Sequence, residues 1–177
     1  VSRSLRDHGA TRTDLERHQG SAAYLLAEYN HLGYNFRLTD IQGALGCVQM
    51  QRAPDILAAR TELARQYDVA LAETEWFRTP YTPPGYDHGY QAYVGLYCPE
   101  EPTLKNTDIL HDRRNALMAA LEAQGIATRQ GTHIAALQGF YVEKYGLKRD
   151  QFPNAWLADR LSLTLPLYPQ MTADDQD

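Results

Sequence analysis

The run Leu32-Gly33-Tyr34-Asn35-Phe36-Arg37-Leu38-Thr39-Asp40-Ile41-Gln42-Gly43-Ala44-Leu45-Gly46 concentrates groups suited to holding an anion. Gly33 lets the backbone come close to a ligand, Asn35 offers a side-chain amide as donor, and Arg37 adds a fixed cation. Tyr34 and Phe36 flank the asparagine, and a buried helix is expected to anchor the loop. Spacing alone also fits a plainer arrangement, in which Asn35 caps a turn and Arg37 makes a surface ion pair.

A second candidate group is Thr128-Arg129-Gln130-Gly131-Thr132-His133. His133 follows an expected strand end, where loops tend to carry function, yet a half-buried histidine bonded to backbone fits as well. Arg129 reads equally as an anion ligand or a solvated charge. Tyr90 and Tyr93 are expected on one strand face, as core. The six histidines include no pair at i,i+4, and neither cysteine lies near one in sequence, so no metal site is expected. Glu100 with Glu101 and Asp174 with Asp175 fall at polar junctions rather than forming a hydrolytic dyad. No nucleophile-elbow, phosphate-loop or dinucleotide-binding glycine motif occurs.

Composition narrows the class further. With 44% apolar and 22% charged residues the chain is ordinary globular material, and its net charge of −5 argues against nucleic acid or an anionic membrane as the main partner. No apolar run approaches the roughly 18 residues a membrane helix needs. Val1-Ser2-Arg3-Ser4-Leu5-Arg6-Asp7 is polar from its first turn, unlike a secretory leader. Cys47 and Cys98 read as free thiols in a reducing compartment, so a cytoplasmic location is expected. A first residue other than methionine, within what reads as a helix, suggests a piece of a longer protein.

The elements expected to position these groups run as follows. Residues 1–9 end a helix stopped by Gly9. Residues 10–30 form a long loop, whose Tyr24-Leu25-Leu26-Ala27-Glu28-Tyr29 is apolar enough to pack on a partner subunit. Thr39 and Gln42 form a capping box, and Ile41, Ala44, Leu45 and Val48 share one face of the helix that follows. Pro54 is expected to break that helix or restart it. A second helix carries Ile56, Leu63, Tyr67, Ala70 and Leu71 at helical spacing. Trp76–Pro80 changes character, and residues 81–89, rich in proline and glycine, form a connecting loop.

Residues 91–98 read as a strand. Asp108 is expected to cap a helix with Leu110, Leu117, Ala120 and Leu121 inward, stopped by Gly125. Residues 126–130 then form a short strand, so strand, helix and strand recur as in a small α/β layer. Short helices at 139–145 and 153–160, a strand over 161–166 and a helix opening at Thr172 complete the chain.

Several of these pieces, in order, resemble the sugar aminotransferases of the DegT/DnrJ/EryC1/StrS family. They are Leu5-Arg6-Asp7-His8-Gly9-Ala10, Gly33 to Gln42, His88-Gly89-Tyr90-Gln91-Ala92-Tyr93, Gly125 to His133, Phe152-Pro153-Asn154-Ala155 and Leu163 to Thr172. The resemblance implies an α/β chain, the C-terminal part of a fold-type I pyridoxal-phosphate-dependent transferase, with linking helices and a small α/β domain. Residues 1–38 would end the large cofactor domain and carry an active-site loop. Residues 39–75 would be linking helices, and 76–177 the small C-terminal domain, incomplete at its end.

It also implies site roles. Asn35 would reach the phosphate of pyridoxal 5'-phosphate in the neighbouring subunit of a homodimer. Tyr34 and Arg37 would stand near that shared site, and His133 would help line a sugar-nucleotide pocket. The implied reaction moves an amino group, commonly from glutamate, to a keto-sugar nucleotide. The family's cofactor-bearing lysine lies in a Ser-x-His-x-x-Lys segment before a Gly-Glu-Gly-Gly turn. Lys105, Lys144 and Lys148, the lysines here, sit in unlike contexts. No catalytic residue is therefore assigned to this chain, which alone is expected to be inactive. Thr132-His133-Ile134-Ala135-Ala136-Leu137 also departs from the family's Pro-Leu-His version. Two other readings share the scaffold: a non-catalytic sugar-nucleotide-binding or interaction module, and an aminotransferase for a cyclic ketone such as an inosose.

Overall fold

The computed structural model describes residues 2–10, 30–36 and 38–176. The expected loop and its apolar Tyr24–Tyr29 stretch lie outside the described residues, as does Arg37. The chain forms two compact units, residues 1–52 and 53–177. Each is considered by itself.

In the first unit, helix α1 (Ser2–Leu5) ends where the backbone turns left-handed, at φ 56° for His8 and 78° for Gly9. The Gly9 amide closes this turn by donating to the Ser4 carbonyl at 2.8 Å. The returning chain at 34–36 then runs antiparallel to residues 5–8. Tyr34 N–H donates to Leu5 O at 2.7 Å, Phe36 N–H to Arg6 O at 2.9 Å, and His8 N–H to Tyr34 O at 2.9 Å.

Helix α2 (Asp40–Ala70) begins at the expected capping box. Thr39 N–H donates to Gln42 Oε1 at 3.0 Å, and Gln42 N–H to Thr39 Oγ1 at 3.3 Å. Pro54 does not divide it: one helix of 31 residues runs through the proline, where two were expected. Proline removes a single N–H from the ladder, and the good helix formers on both sides carry the turn across. The first half is also not the buried anchor the sequence suggested. Ile41, Leu45 and Val48 do share a face, but they are 83%, 62% and 52% exposed. The helix buries Leu63, Ala64 and Tyr67, all in its second half.

The second unit is built on a three-stranded antiparallel sheet of β1 (Phe77–Arg78), β2 (Tyr93–Tyr97) and β3 (Ser162–Leu165), in that order. Phe77 pairs with Tyr97 on one side of β2, and Tyr93 pairs with Leu165 on the other. Gly95 sits where the sheet needs it, because a Cβ there would lie 2.2 Å from the Phe77 ring. Around the sheet come α3 (Thr107–Ala123), α4 (Gly139–Tyr145), α5 (Pro153–Leu161) and α6 (Ala173–Gln176). The core joins Leu63, Ala64 and Tyr67 of α2 to Phe77, Tyr93, Leu163 and Met171. Tyr67 donates its hydroxyl to Pro166 O at 2.9 Å, and Tyr93 donates to Asp68 Oδ1 at 2.5 Å.

Several local expectations change here. The segment 126–130 is not a strand; only Arg129 bridges to Thr164. Helix α3 starts at Thr107 and is set up by Thr103 and Asn106, with Thr103 N–H donating to Asn106 Oδ1 at 2.7 Å. Asp108 lies inside its first turn and pairs instead with Arg149 and Arg160, at 3.4 and 3.5 Å. Ala120 faces solvent rather than the core. Tyr90 precedes β2 with φ 40° and is half-buried against the core, where its ring stacks on that of Tyr93 at 6.5 Å. Cys98 is buried and Cys47 exposed, both as free thiols.

Candidate functional site

Two groups of candidate residues occupy separate units, Tyr34 and Asn35 in the first and His133 in the second. In the first, two glycines let the strands close. A Cβ on Gly33 would lie 2.1 Å from the Gly9 amide nitrogen, and one on Gly9 would lie 1.8 Å from His31 O. No larger residue fits either position without moving backbone. This close pairing fixes the register in which Asn35 stands opposite Asp7 as an isolated antiparallel bridge.

The flanking bonds, His8 to Tyr34 and Phe36 to Arg6, make Asp7 and Asn35 a non-hydrogen-bonded pair. Tyr34 and Phe36 stack with centroids 4.9 Å apart and planes 7° from parallel. Their rings occupy one face of this extended segment, so the Asn35 side chain leaves from the other. That side chain is exposed and makes no hydrogen bond among the described residues. An amide carrying two unused donors suits a phosphate oxygen. Tyr34 and Phe36 are themselves 58% and 66% exposed, presenting a broad aromatic surface.

In the second unit His133 is well exposed, its side chain 77% accessible, so the alternative of a half-buried, backbone-bonded histidine falls away. The loop carrying it is held from below by two residues that sequence reasoning missed. Ser162 Oγ, buried at the start of β3, accepts from the Gly131 amide at 3.0 Å and the Thr132 amide at 3.2 Å. Asp159 Oδ1, on α5, accepts from the Ile134 amide at 2.9 Å and from Gln130 Nε2 at 3.2 Å. Its carboxylate also lies 3.8 Å from His133 Nδ1.

Buried Arg114 supports the same framework by donating from Nη1 to Ser162 O at 2.8 Å. Burial, then the neighbouring Arg160 charge, lower its pKa. A faint signal for Asp159 existed in the sequence, since an acidic residue in the last turn of a helix opposes the helix dipole and calls for a reason. Arg129 makes no ion pair among the described residues. It lines a cleft of about 410 Å³ together with Gln91, Thr164 and Tyr168.

Among the described residues no cluster of three or more metal-ligating side chains occurs, and no helix is long and apolar enough to cross a membrane. The paired carboxylates are surface groups: Glu100 meets Arg113 at 3.4 Å and Glu101 meets Arg78 at 3.5 Å.

These motifs and this fold define a class. The model of the DegT/DnrJ/EryC1/StrS aminotransferase family matches residues 1–177, and the chain belongs to that family. It is 33% identical over 174 residues to MJ1066 of Methanocaldococcus jannaschii, covering 97% of this chain and 42% of that protein. It is 29% identical over 175 residues to the spore coat polysaccharide biosynthesis protein SpsC of Bacillus subtilis, covering 99% and 43%. Among solved structures it superposes with a TM-score of 0.69 and 21% identity on the PLP-form of Spr1654, a candidate sugar aminotransferase from Streptococcus pneumoniae. That match covers 98% of this chain and 39% of the other, and establishes the fold. The chain thus spans about two-fifths of the length of the relatives it matches. As expected from the sequence, the architecture is that of a partial PLP-dependent sugar aminotransferase, with mixed helices and a small antiparallel sheet.

Proposed function

We propose that the protein is a pyridoxal-phosphate-dependent aminotransferase that moves an amino group, from glutamate, onto a keto-sugar nucleotide. The product is an amino sugar for polysaccharide, lipopolysaccharide or secondary-metabolite synthesis. Membership of the family supports the reaction class, and the relative SpsC acts in polysaccharide biosynthesis. When bound, the cofactor supplies an electron sink that lets an amino group pass between two carbon skeletons.

The observation that carries the reading is the presentation of Asn35. A glycine-gated strand pair holds its backbone in fixed register with its amide in solvent, so little backbone order is lost when it grips a phosphate. In this reading Asn35 reaches the phosphate of a cofactor held by the partner subunit, and the enzyme works as a cytoplasmic homodimer. Tyr34 and Arg37 border that site, and His133 and its loop contact the sugar nucleotide. The lysine that binds the cofactor lies in a part of the protein outside this sequence, and this chain alone is inactive.

The test is a pair of half-reactions on the complete protein. Glutamate should convert the bound cofactor to its amino form, and UDP- or dTDP-linked 4-keto sugars should return it. Return by an unlinked cyclic ketone, with no response to either nucleotide sugar, would replace the proposed substrate class.

A further inference from the structure

One carboxylate oxygen ties together the two ends of the loop from Gln130 to Ile134. Asp159 Oδ1 takes the Ile134 amide at 2.9 Å and the Gln130 side-chain amide at 3.2 Å, and it lies 3.8 Å from His133 Nδ1. The Asp159 side chain is only 14% exposed, whereas that of His133 is 77% exposed. A shielded carboxylate so placed strengthens each bond it accepts, because the acceptor is charged and little water competes.

The same arrangement sets the imidazole. Gln130 Nε2 donates one N–H to Thr132 O at 2.7 Å and the other to Asp159, and the same nitrogen lies 3.3 Å from His133 Nδ1. Nδ1 thus lies beside the Gln130 amide and the Asp159 carboxylate, on the protein side of the ring. Nε2 is therefore the ring nitrogen left for a ligand. On the other side of the loop, Gly131 is packed so tightly that a Cβ would lie 2.2 Å from Val94 Cγ1. The loop is thus pinned from two elements, β3 through Ser162 and α5 through Asp159.

We propose that Asp159 is a positioning residue for substrate recognition: it clamps the Gln130–Ile134 loop so that His133 presents Nε2 to the nucleotide-linked sugar. This rests on the reading of His133 as a substrate contact. A loop released from Asp159 would lose the direction of the ring. Asp159 never meets the substrate; it acts through Gln130 and His133.

The experiment compares Asp159→Asn, Gln130→Ala, His133→Ala and the Asp159→Asn/His133→Ala double variant in the complete, cofactor-loaded enzyme. It reads KM and kcat for the nucleotide sugar and for glutamate separately. Asp159→Asn keeps the shape of the side chain, and Gln130→Ala interrupts the same clamp from the surface should the first variant fold poorly.

The expected result is an increase of about tenfold in KM for the nucleotide sugar in each single variant, as for loss of one charge-assisted hydrogen bond, with KM for glutamate unchanged. The double variant should be no worse than His133→Ala. Long-range 1H–15N spectra should show a single His133 tautomer in the parent and a mixture in Asp159→Asn. If His133→Ala raises KM while Asp159→Asn and Gln130→Ala do not, the clamp is refuted and the histidine contact stands. If His133→Ala itself leaves KM unchanged, the substrate contact fails and the proposal falls with it.

Discussion

Tyr34 and Phe36 stack face to face, 4.9 Å between centroids and 7° from parallel, with Asn35 between them in sequence and directed to the opposite face. The pair acts as a stiffener. Two rings locked on one side of an extended segment limit its twisting, and the short asparagine on the other side keeps its direction. Replacing Phe36 by Ala should loosen this segment without removing a donor. Faster hydrogen exchange at the Phe36 amide, which donates to Arg6 O, is the expected outcome, with a smaller loss of cofactor than Asn35→Ala causes.

Gly33→Ala should be far more damaging than its size suggests. The added methyl would lie 2.1 Å from the Gly9 nitrogen, so the bonds between residues 5–8 and 34–36 must part. Protection of the Tyr34 amide should disappear in hydrogen exchange while helix α3 in the second unit keeps its own. Retained protection at Tyr34 would show that the strands do not need the glycine.

Pro54 offers a test in the opposite direction. It sits inside continuous α2 and leaves one turn without its amide. Pro54→Ala restores that donor at a helix-compatible site and should stabilise the fold by up to about 3 kcal/mol, read as a higher midpoint in urea unfolding. A lower midpoint would mean that the proline serves packing or the unfolded state.

The core phenols predict an alkaline limit. Burial, reinforced by the bond to Asp68, pushes Tyr93 far above the ordinary phenol value of 10.0, and burial also raises Tyr67. Both stay protonated in the fold while the unfolded chain ionises near pH 10. The unfolded state then binds fewer protons, so stability is intact below that pH and falls as pH rises above it. Tyr93→Phe should cost about 1 kcal/mol at neutral pH through the lost bond and should flatten the alkaline fall. An unchanged alkaline slope in urea titrations from pH 8 to 11 would contradict this.

The sequence was most legible where a local rule and the tertiary structure agree. Thr39 with Gln42 and the helices at 139–145 and 153–161 follow from capping residues and Pro at the first helical turn. Order-dependent motifs then placed the chain in its family before any geometry was known. What was not legible depended on long-range partners. Pro54 was read as a boundary because local rules count the lost N–H and ring clash but not the helix formers that carry the turn across it. Residues 126–130 have strand-like composition but pair only at Arg129. Ile41, Leu45 and Val48 have core-like spacing yet are exposed among the described residues. Asp159 and Ser162 were missed because a single carboxylate or hydroxyl holding a distant loop leaves no periodic trace.

The central claim is that Asn35 contributes to holding the cofactor phosphate, and equilibrium titration of pyridoxal 5'-phosphate into the complete apoenzyme tests it directly. Asn35→Ala should weaken binding by about 1–3 kcal/mol, from roughly fivefold to more than a hundredfold in Kd, with the dimer intact in sedimentation. A Kd equal to that of the unaltered protein would contradict the account.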